Sequence, residues 1–266
     1  IEQAIARINP PDPDLIVKTQ ARLDNLTKPQ GSLGCLEEIA KQIVGITGKE
    51  NPKLKNKVIF TLAADHGVTE EGVSVYPKEV TAQMVYNFLS GGAAINVLAR
   101  HISARVVVVD MGVAEKIQSP KPLPGRQAGK IQNFKDKKIN FGTSNFTKGP
   151  AMTREEAIKS IETGIELVVK EIPKGCDIIG TGDMGIGNTT ASAAIAAAII
   201  NKSPEEVTGR GTGIDDIVLN NKIEVISKAL EINKPDASDA IDVLSKVGGF
   251  EIGGLAGIIL AGSAKR

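Results

Sequence analysis

Three short apolar runs limit what this chain can fold into more than any other feature of it. Val58-Ile-Phe-Thr-Leu-Ala-Ala64, Val106-Val-Val-Val109 and Asp177-Ile-Ile179 are short and carry almost no polar group. Runs of that length and continuity read as strands covered on both faces, hence as parallel strands with helices above and below. Amphipathic helical patterns separate them, so the expected fold class is α/β, a parallel sheet flanked by helices. Aromatic residues are only 3% of the chain and Trp is absent, so Ile, Val, Leu and Ala must build the core.

Each run leads into the same pattern: Asp65-His66-Gly67, Asp110-Met111-Gly112, and Asp183-Met184-Gly185 in the loop after Ile179. Asp and Gly are turn formers, so one such tripeptide needs no further account. If the strands are parallel, however, all three carboxylates share the carboxyl edge, where open α/β sheets bind ligands.

The third run also opens the chain's strongest functional signal. Gly180, Gly182, Gly185 and Gly187 read as a loop almost without side-chain bulk, and Thr189 to Ile200 reads as a buried helix. Strand, glycine loop, helix is the arrangement that aims free backbone N–H groups at an anion, usually a phosphate. Asn188, Thr189 and Thr190 add side-chain donors at the helix start. Gly180-x-Gly182-x-x-Gly185 has the form of a dinucleotide fingerprint, but the acidic residue expected some twenty positions on is missing. No Lys follows the glycines, which removes a Walker loop.

Two units are expected: a helical arm or small domain over 1–50, and an α/β nucleotide-binding domain over 51–266. In the arm, Ser32 is placed to cap a helix with the stripe Leu36, Ile39, Ala40, Ile43 and Ile46, stopped by Gly48. Thr153-x-x-Glu156 is a capping box. Asp215 or Asp216 can cap a helix carrying Leu219, Ile223, Ile226 and Leu230, with Lys222 at the edge of that stripe and able to reach inward. Ser238 is placed to cap the next helix. Phe250 to Leu260 is glycine-rich for a helix, which implies close packing. Residues 114–150, rich in Pro, Gly and Lys, read as a surface excursion and candidate lid.

Lys plus Arg number 32 against 31 for Asp plus Glu, a balance that argues against nucleic-acid or membrane-surface partners. Without a signal-like segment or a spanning apolar run, the expected location is cytoplasmic. Cys35 and Cys176 are expected to be buried thiols, and two histidines make a multi-histidine zinc site hard to assemble.

Several stretches, in order, resemble nicotinate-nucleotide:5,6-dimethylbenzimidazole phosphoribosyltransferases: Thr27-Lys-Pro-Gln-Gly-Ser-Leu-Gly34, Ala64-Asp-His-Gly-Val68, Glu79-Val-Thr-Ala-Gln-Met84, Gly182-Asp-Met-Gly-Ile-Gly-Asn-Thr-Thr190, Asn221-Lys222 and Asp242-Val-Leu-Ser-Lys-Val-Gly-Gly-Phe250. The resemblance implies a Rossmann-like parallel sheet, a small helical domain from both chain ends, a homodimer or a heterodimer with a paralogue, and neither metal nor cofactor. It implies transfer of phosphoribose from nicotinate mononucleotide to 5,6-dimethylbenzimidazole or a related aromatic base, in cobalamin nucleotide-loop assembly. Gly185, Ile186, Gly187, Asn188, Thr189 and Thr190 would hold the phosphate and ribose, and Asp183 and Lys222 would be catalytic. Asp183 stands where the family usually has Glu. Asp65, His66, Tyr76 and Met84 would line the aromatic-base pocket, with core packing an equal alternative for Tyr76 and Met84. The family's general-base Glu would lie beyond Arg266, so the expectation is a chain truncated or complemented by another subunit and weakly active alone. A non-catalytic partner subunit and a dinucleotide-dependent oxidoreductase are the alternative readings.

Overall fold

A computed structural model describes residues 1–118 and 133–265. The chain opens with α1 (Glu2–Ile5), α2 (Pro13–Asp24) and α3 (Cys35–Thr47), then enters β1 (Lys57–Ala64). Helices α4 (Val80–Leu89) and α5 (Ala94–His101) lead to β2 (Ala104–Gly112), and β3 (Asn133–Asp136) precedes α6 (Arg154–Glu171). After β4 (Ile178–Met184) come α7 (Asn188–Ile200), α8 (Pro204–Val207), α9 (Asp216–Asn233), α10 (Ala240–Val247) and α11 (Phe250–Ala264).

The four strands form one parallel sheet in the order β3-β2-β1-β4. Side chains alternate across it as strand geometry requires. Phe60, Leu62, Val107, Val109 and Met111 join Ile161, Leu167, Phe250 and Ile258 of α6 and α11 in one core layer. Ala63, Val106 and Val108 join Val85, Phe88 and Ala99 of α4 and α5 in the other. The chain thus runs from β1 to β2 over one face and back to β4 over the opposite face. Strand β1 lies between β2 and β4, so its carboxyl end sits where a doubly wound sheet opens a crevice. Helices α6 and α11 touch almost backbone to backbone: a Cβ at Gly164 would lie 2.0 Å from the Gly254 carbonyl oxygen, and one at Gly257 would lie 1.9 Å from that of Ile161. That approach is the close packing expected of the glycine-rich Phe250–Leu260 segment.

Several details depart from expectation. Strand β3 is an addition; Asn-Phe-Lys-Asp carries one large apolar side chain, because an edge strand needs little apolar cover. The middle of the 114–150 stretch is therefore partly ordered into the sheet, while the lid expected there falls in part on 119–132, outside the described residues. Strand β4 continues through Gly180 and Gly182 to Met184, paired with β1 throughout, so the glycine loop proper begins at Gly185. This also removes the dinucleotide fingerprint, whose first two glycines must make the turn.

Gly34, with φ +55°, precedes α3 without a side-chain cap, in place of Ser32. Glu37 instead steadies the turn before the helix, taking the Leu33 N–H at 3.2 Å while paired with Lys28 at 2.8 Å. Asp239, not Ser238, caps α10 through the N–H groups of Ile241 and Asp242. Thr153 and Glu156 form the expected capping box, and Asp215 caps α9 through Val218 N–H. Cys35 is exposed and Cys176 half-buried, against the expectation of two buried thiols. Cys35 sits at the first position of α3, a helix whose apolar stripe is itself largely open: Leu36, Ile39 and Ile46 are all exposed.

Candidate active site

The parallel sheet does bring the three carboxylates to one edge, but gives them different work. Asp65 follows β1 and accepts the Ala114 N–H at 2.7 Å, tying the exit of β1 to that of β2. Asp110, buried at the end of β2, accepts the N–H groups of Gly112 and Val113 and pairs with Lys138 at 2.8 Å. Both therefore hold turns together. Asp183, at the end of β4, is exposed and accepts from the Asn188 side-chain amide at 2.5 Å. Of the three, only Asp183 is presented to solvent beside the glycine loop.

That loop crosses from β4 to α7. Gly187, the N-cap of α7, has φ +94°, a backbone angle that favours glycine. A Cβ at Gly185 would lie 2.2 Å from the Ala64 carbonyl oxygen, so the turn needs glycine there for space. The Ile186 N–H donates to the buried Thr81 hydroxyl at 3.1 Å. The Glu79-Val-Thr-Ala-Gln-Met84 stretch thus braces the loop from α4.

A pocket opens over this turn, lined by Gly185 to Thr189, by Val73 and Ser74, by Arg210 to Thr212, and by Lys222. Lys222 is 2% exposed although it sits in α9. Its ammonium donates to Thr189 Oγ1 at 2.7 Å and to the Gly209 carbonyl at 3.4 Å. Among the described residues no carboxylate lies within ion-pair distance of it, and burial pushes its pKa below the ordinary lysine value. A cation, the positive end of α7 and a glycine turn converge on one pocket, the chemistry of an anion site.

Thr190, expected among the phosphate contacts, is fully buried on the inner side of α7 and lies outside the pocket lining. His66 is likewise not a wall of an open pocket: it is buried, with Nε2 at 2.7 Å from Glu251 Oε1. Met84 is half-buried and packs on the α4–α5 core layer. Tyr76 is 49% exposed on the loop before α4, beside a second groove lined by Thr69, Ser74 and Glu79. Ser74 lines both cavities, so the groove and the anion pocket are neighbours. Arg210 and Ser74 escaped the sequence reading. The signal for Arg210 was its place in Gly209-Arg-Gly-Thr-Gly213, a second glycine loop with a cation in it; Ser74 carried none.

A doubly wound parallel sheet with an anion pocket at its carboxyl edge, over the turn after β4, defines a class, the α/β nucleotide-binding proteins. Comparison with known proteins narrows it. A family model described as "Phosphoribosyltransferase" matches residues 8–266, and the chain belongs to that family. It is 53% identical over its whole length to the nicotinate-nucleotide–dimethylbenzimidazole phosphoribosyltransferase of Roseiflexus sp. (strain RS-1), covering 72% of that protein. To the enzyme of the same name from Geobacter sulfurreducens it is 54% identical with the same coverage. The crystal structure of CobT from Thermus thermophilus superposes with a TM-score of 0.84 at 41% identity, over 94% of this chain and 72% of the other. Among the described residues no helix is long and apolar enough to cross a membrane, and no group of three or more His, Cys, Asp or Glu could hold a metal ion.

Proposed function

We propose that this protein transfers phosphoribose from nicotinate mononucleotide to 5,6-dimethylbenzimidazole, releasing nicotinate and giving the α-ribazole 5′-phosphate type of product. The observation that carries the reading is Lys222, a buried ammonium without a carboxylate partner among the described residues, facing the Gly185–Thr189 turn. A mononucleotide 5′-phosphate supplies the missing charge; Arg210, at the pocket's rim, is itself paired with Asp216. Nicotinate leaves readily because its ring is a pyridinium until the glycosidic bond breaks and takes the bonding electrons as it departs. The incoming base attacks the anomeric carbon from the opposite face, held there by the anchored phosphate.

The attacking nitrogen forms the new bond as the base gives up its N–H proton, which a carboxylate must take. Asp183 is the carboxylate available at the pocket's edge, oriented by Asn188. The Tyr76 groove, next to the anion pocket through Ser74, is where the flat base would lie. Met84 serves as packing on the α4–α5 core layer. The reading further includes residues 1–50 as a small helical unit, a dimer to be tested by sedimentation, and a cytoplasmic location.

Mass spectrometry of the products from nicotinate mononucleotide and a panel of aromatic bases is the direct test. Release of nicotinate with a base-ribose-phosphate adduct is the expected result. Calorimetry that detects no nicotinate mononucleotide binding, together with no adduct, would refute the assignment.

A further inference from the structure

The pair His66 and Glu251 is left unused by the anion pocket, although it touches the pocket's floor. Both side chains are fully buried, and they come from elements far apart in sequence: the exit of β1 and the first turn of α11. A buried ion pair adds little to stability over an apolar pair of the same volume, so its place beneath the glycine turn requires another reason.

The surroundings supply one. A Cβ built on Gly185 would lie 3.2 Å from both Nε2 and Cδ2 of His66, and one on Gly187 would lie 3.2 Å from His66 Cβ. From the other side, a Cβ on Gly249 would lie 2.5 Å from His66 Cε1 and 2.7 Å from Glu251 Oε2. Glycine backbone therefore flanks the imidazole closely from two directions, leaving no room for a side chain, and the Gly185–Gly187 turn is one of them. The His66 carbonyl also accepts the Thr69 hydroxyl at 2.8 Å, and Thr69 Cγ2 would be 3.0 Å from a Cβ on Gly187.

We infer that His66 is a positioning residue: clamped by Glu251, its imidazole holds the Gly185–Gly187 backbone in the shape that receives the phosphate. Burial by itself favours the neutral ring, but Glu251 from α11, and behind it Asp65 from the exit of β1 and Asp183 from β4, outweigh burial and raise the pKa above 6.5. The ring thus stays cationic further up the pH scale than a free histidine. Its charge lies under the turn that binds the anion from above. The inference rests on the phosphoribosyl-transfer reading for its substrate but not for its geometry.

The test combines NMR with kinetics. In the wild type, the amide resonances of Gly185 and Gly187 are expected to titrate with the same midpoint as the His66 ring. In Glu251→Gln, which keeps a hydrogen-bonding group and loses the charge, both midpoints should fall together. There KM for nicotinate mononucleotide should rise on the order of fivefold at a pH between the wild-type and variant midpoints but little at a pH below both, with kcat changed less than about twofold. His66→Phe should leave those amides at new positions that no longer respond to pH. Amide resonances blind to the His66 titration in the wild type would overturn the inference, even if Glu251→Gln failed to fold. So would a Glu251→Gln KM defect of equal size at both pH values. If the wild type bound no nicotinate mononucleotide, the functional reading would fall, while the coupled titration would still decide the role of His66.

Discussion

At the scale of single residues, Lys222 concentrates the consequences. Burying an ammonium without a carboxylate partner is costly unless an anion is bound. A charged hydrogen bond to phosphate is worth about 1.5–3 kcal/mol, so Lys222→Met should raise KM for nicotinate mononucleotide roughly ten- to hundredfold while keeping the packing of the stem. Steady-state kinetics would show it. Because burial lowers the Lys222 pKa, affinity should begin to fall with rising pH earlier than an ordinary lysine would allow. The sign for His66 concerns stability. Its folded pKa is raised above 6.5, so its contribution is complete below 6.5 and is lost as pH rises through the folded value. The Tm gap between wild type and Glu251→Gln should therefore be wider at pH 6 than at pH 9. Lys222 and His66 were both visible in the sequence, but only as candidates with mistaken or open surroundings. The burial of a side chain depends on elements distant in sequence.

Local signals and packing signals separate at the scale of elements. The Thr153–Glu156 capping box was legible because both partners lie within one turn, and it is present. Thr153→Ala should cost about 1 kcal/mol of stability, read as a lower Tm, with little change in kcat. Caps at Gly34 and Asp239 were misplaced by one or two residues, since several polar residues in each stretch could serve and only the final path of the chain selects one. The end of β4 was misjudged for a related reason. Gly180 and Gly182 look like loop residues in isolation, yet pairing with β1 holds them extended. The α6–α11 contact has the opposite character, because its glycines are needed where they stand. Gly257→Ala should force the two helices apart and cost roughly 1–3 kcal/mol, measurable by denaturant unfolding. Since α11 carries Glu251, the same variant should also disturb the Gly185 and Gly187 amides.

Across the whole molecule, the two edges of the sheet have different tasks. The carboxyl edge carries the site, and the opposite edge is pinned by Glu171. This carboxylate pairs with Arg105 at 2.7 Å and with Lys174 at 2.6 Å, and Arg105 also donates to the Gly175 carbonyl. Burial would raise the Glu171 pKa, but Lys174 and Arg105 outweigh it and lower the value below 4.5. Its stabilising effect is present above 4.5 and lost as pH falls through the folded value, so Glu171→Gln should flatten the acid side of the stability–pH curve. The stripe of Leu36, Ile39 and Ile46 leaves the apolar side of α3 exposed among the described residues. By itself the sequence determined the fold class and the family, because apolar periodicity and contiguous motifs are local properties of a chain. Only the tertiary structure decided that Asp65 and Asp110 hold turns, that Thr190 is sealed away, and that His66 lies beneath the phosphate turn against Glu251. Those assignments turn on which groups lose water when β1, β4 and α11 come together, and no short stretch contains that information.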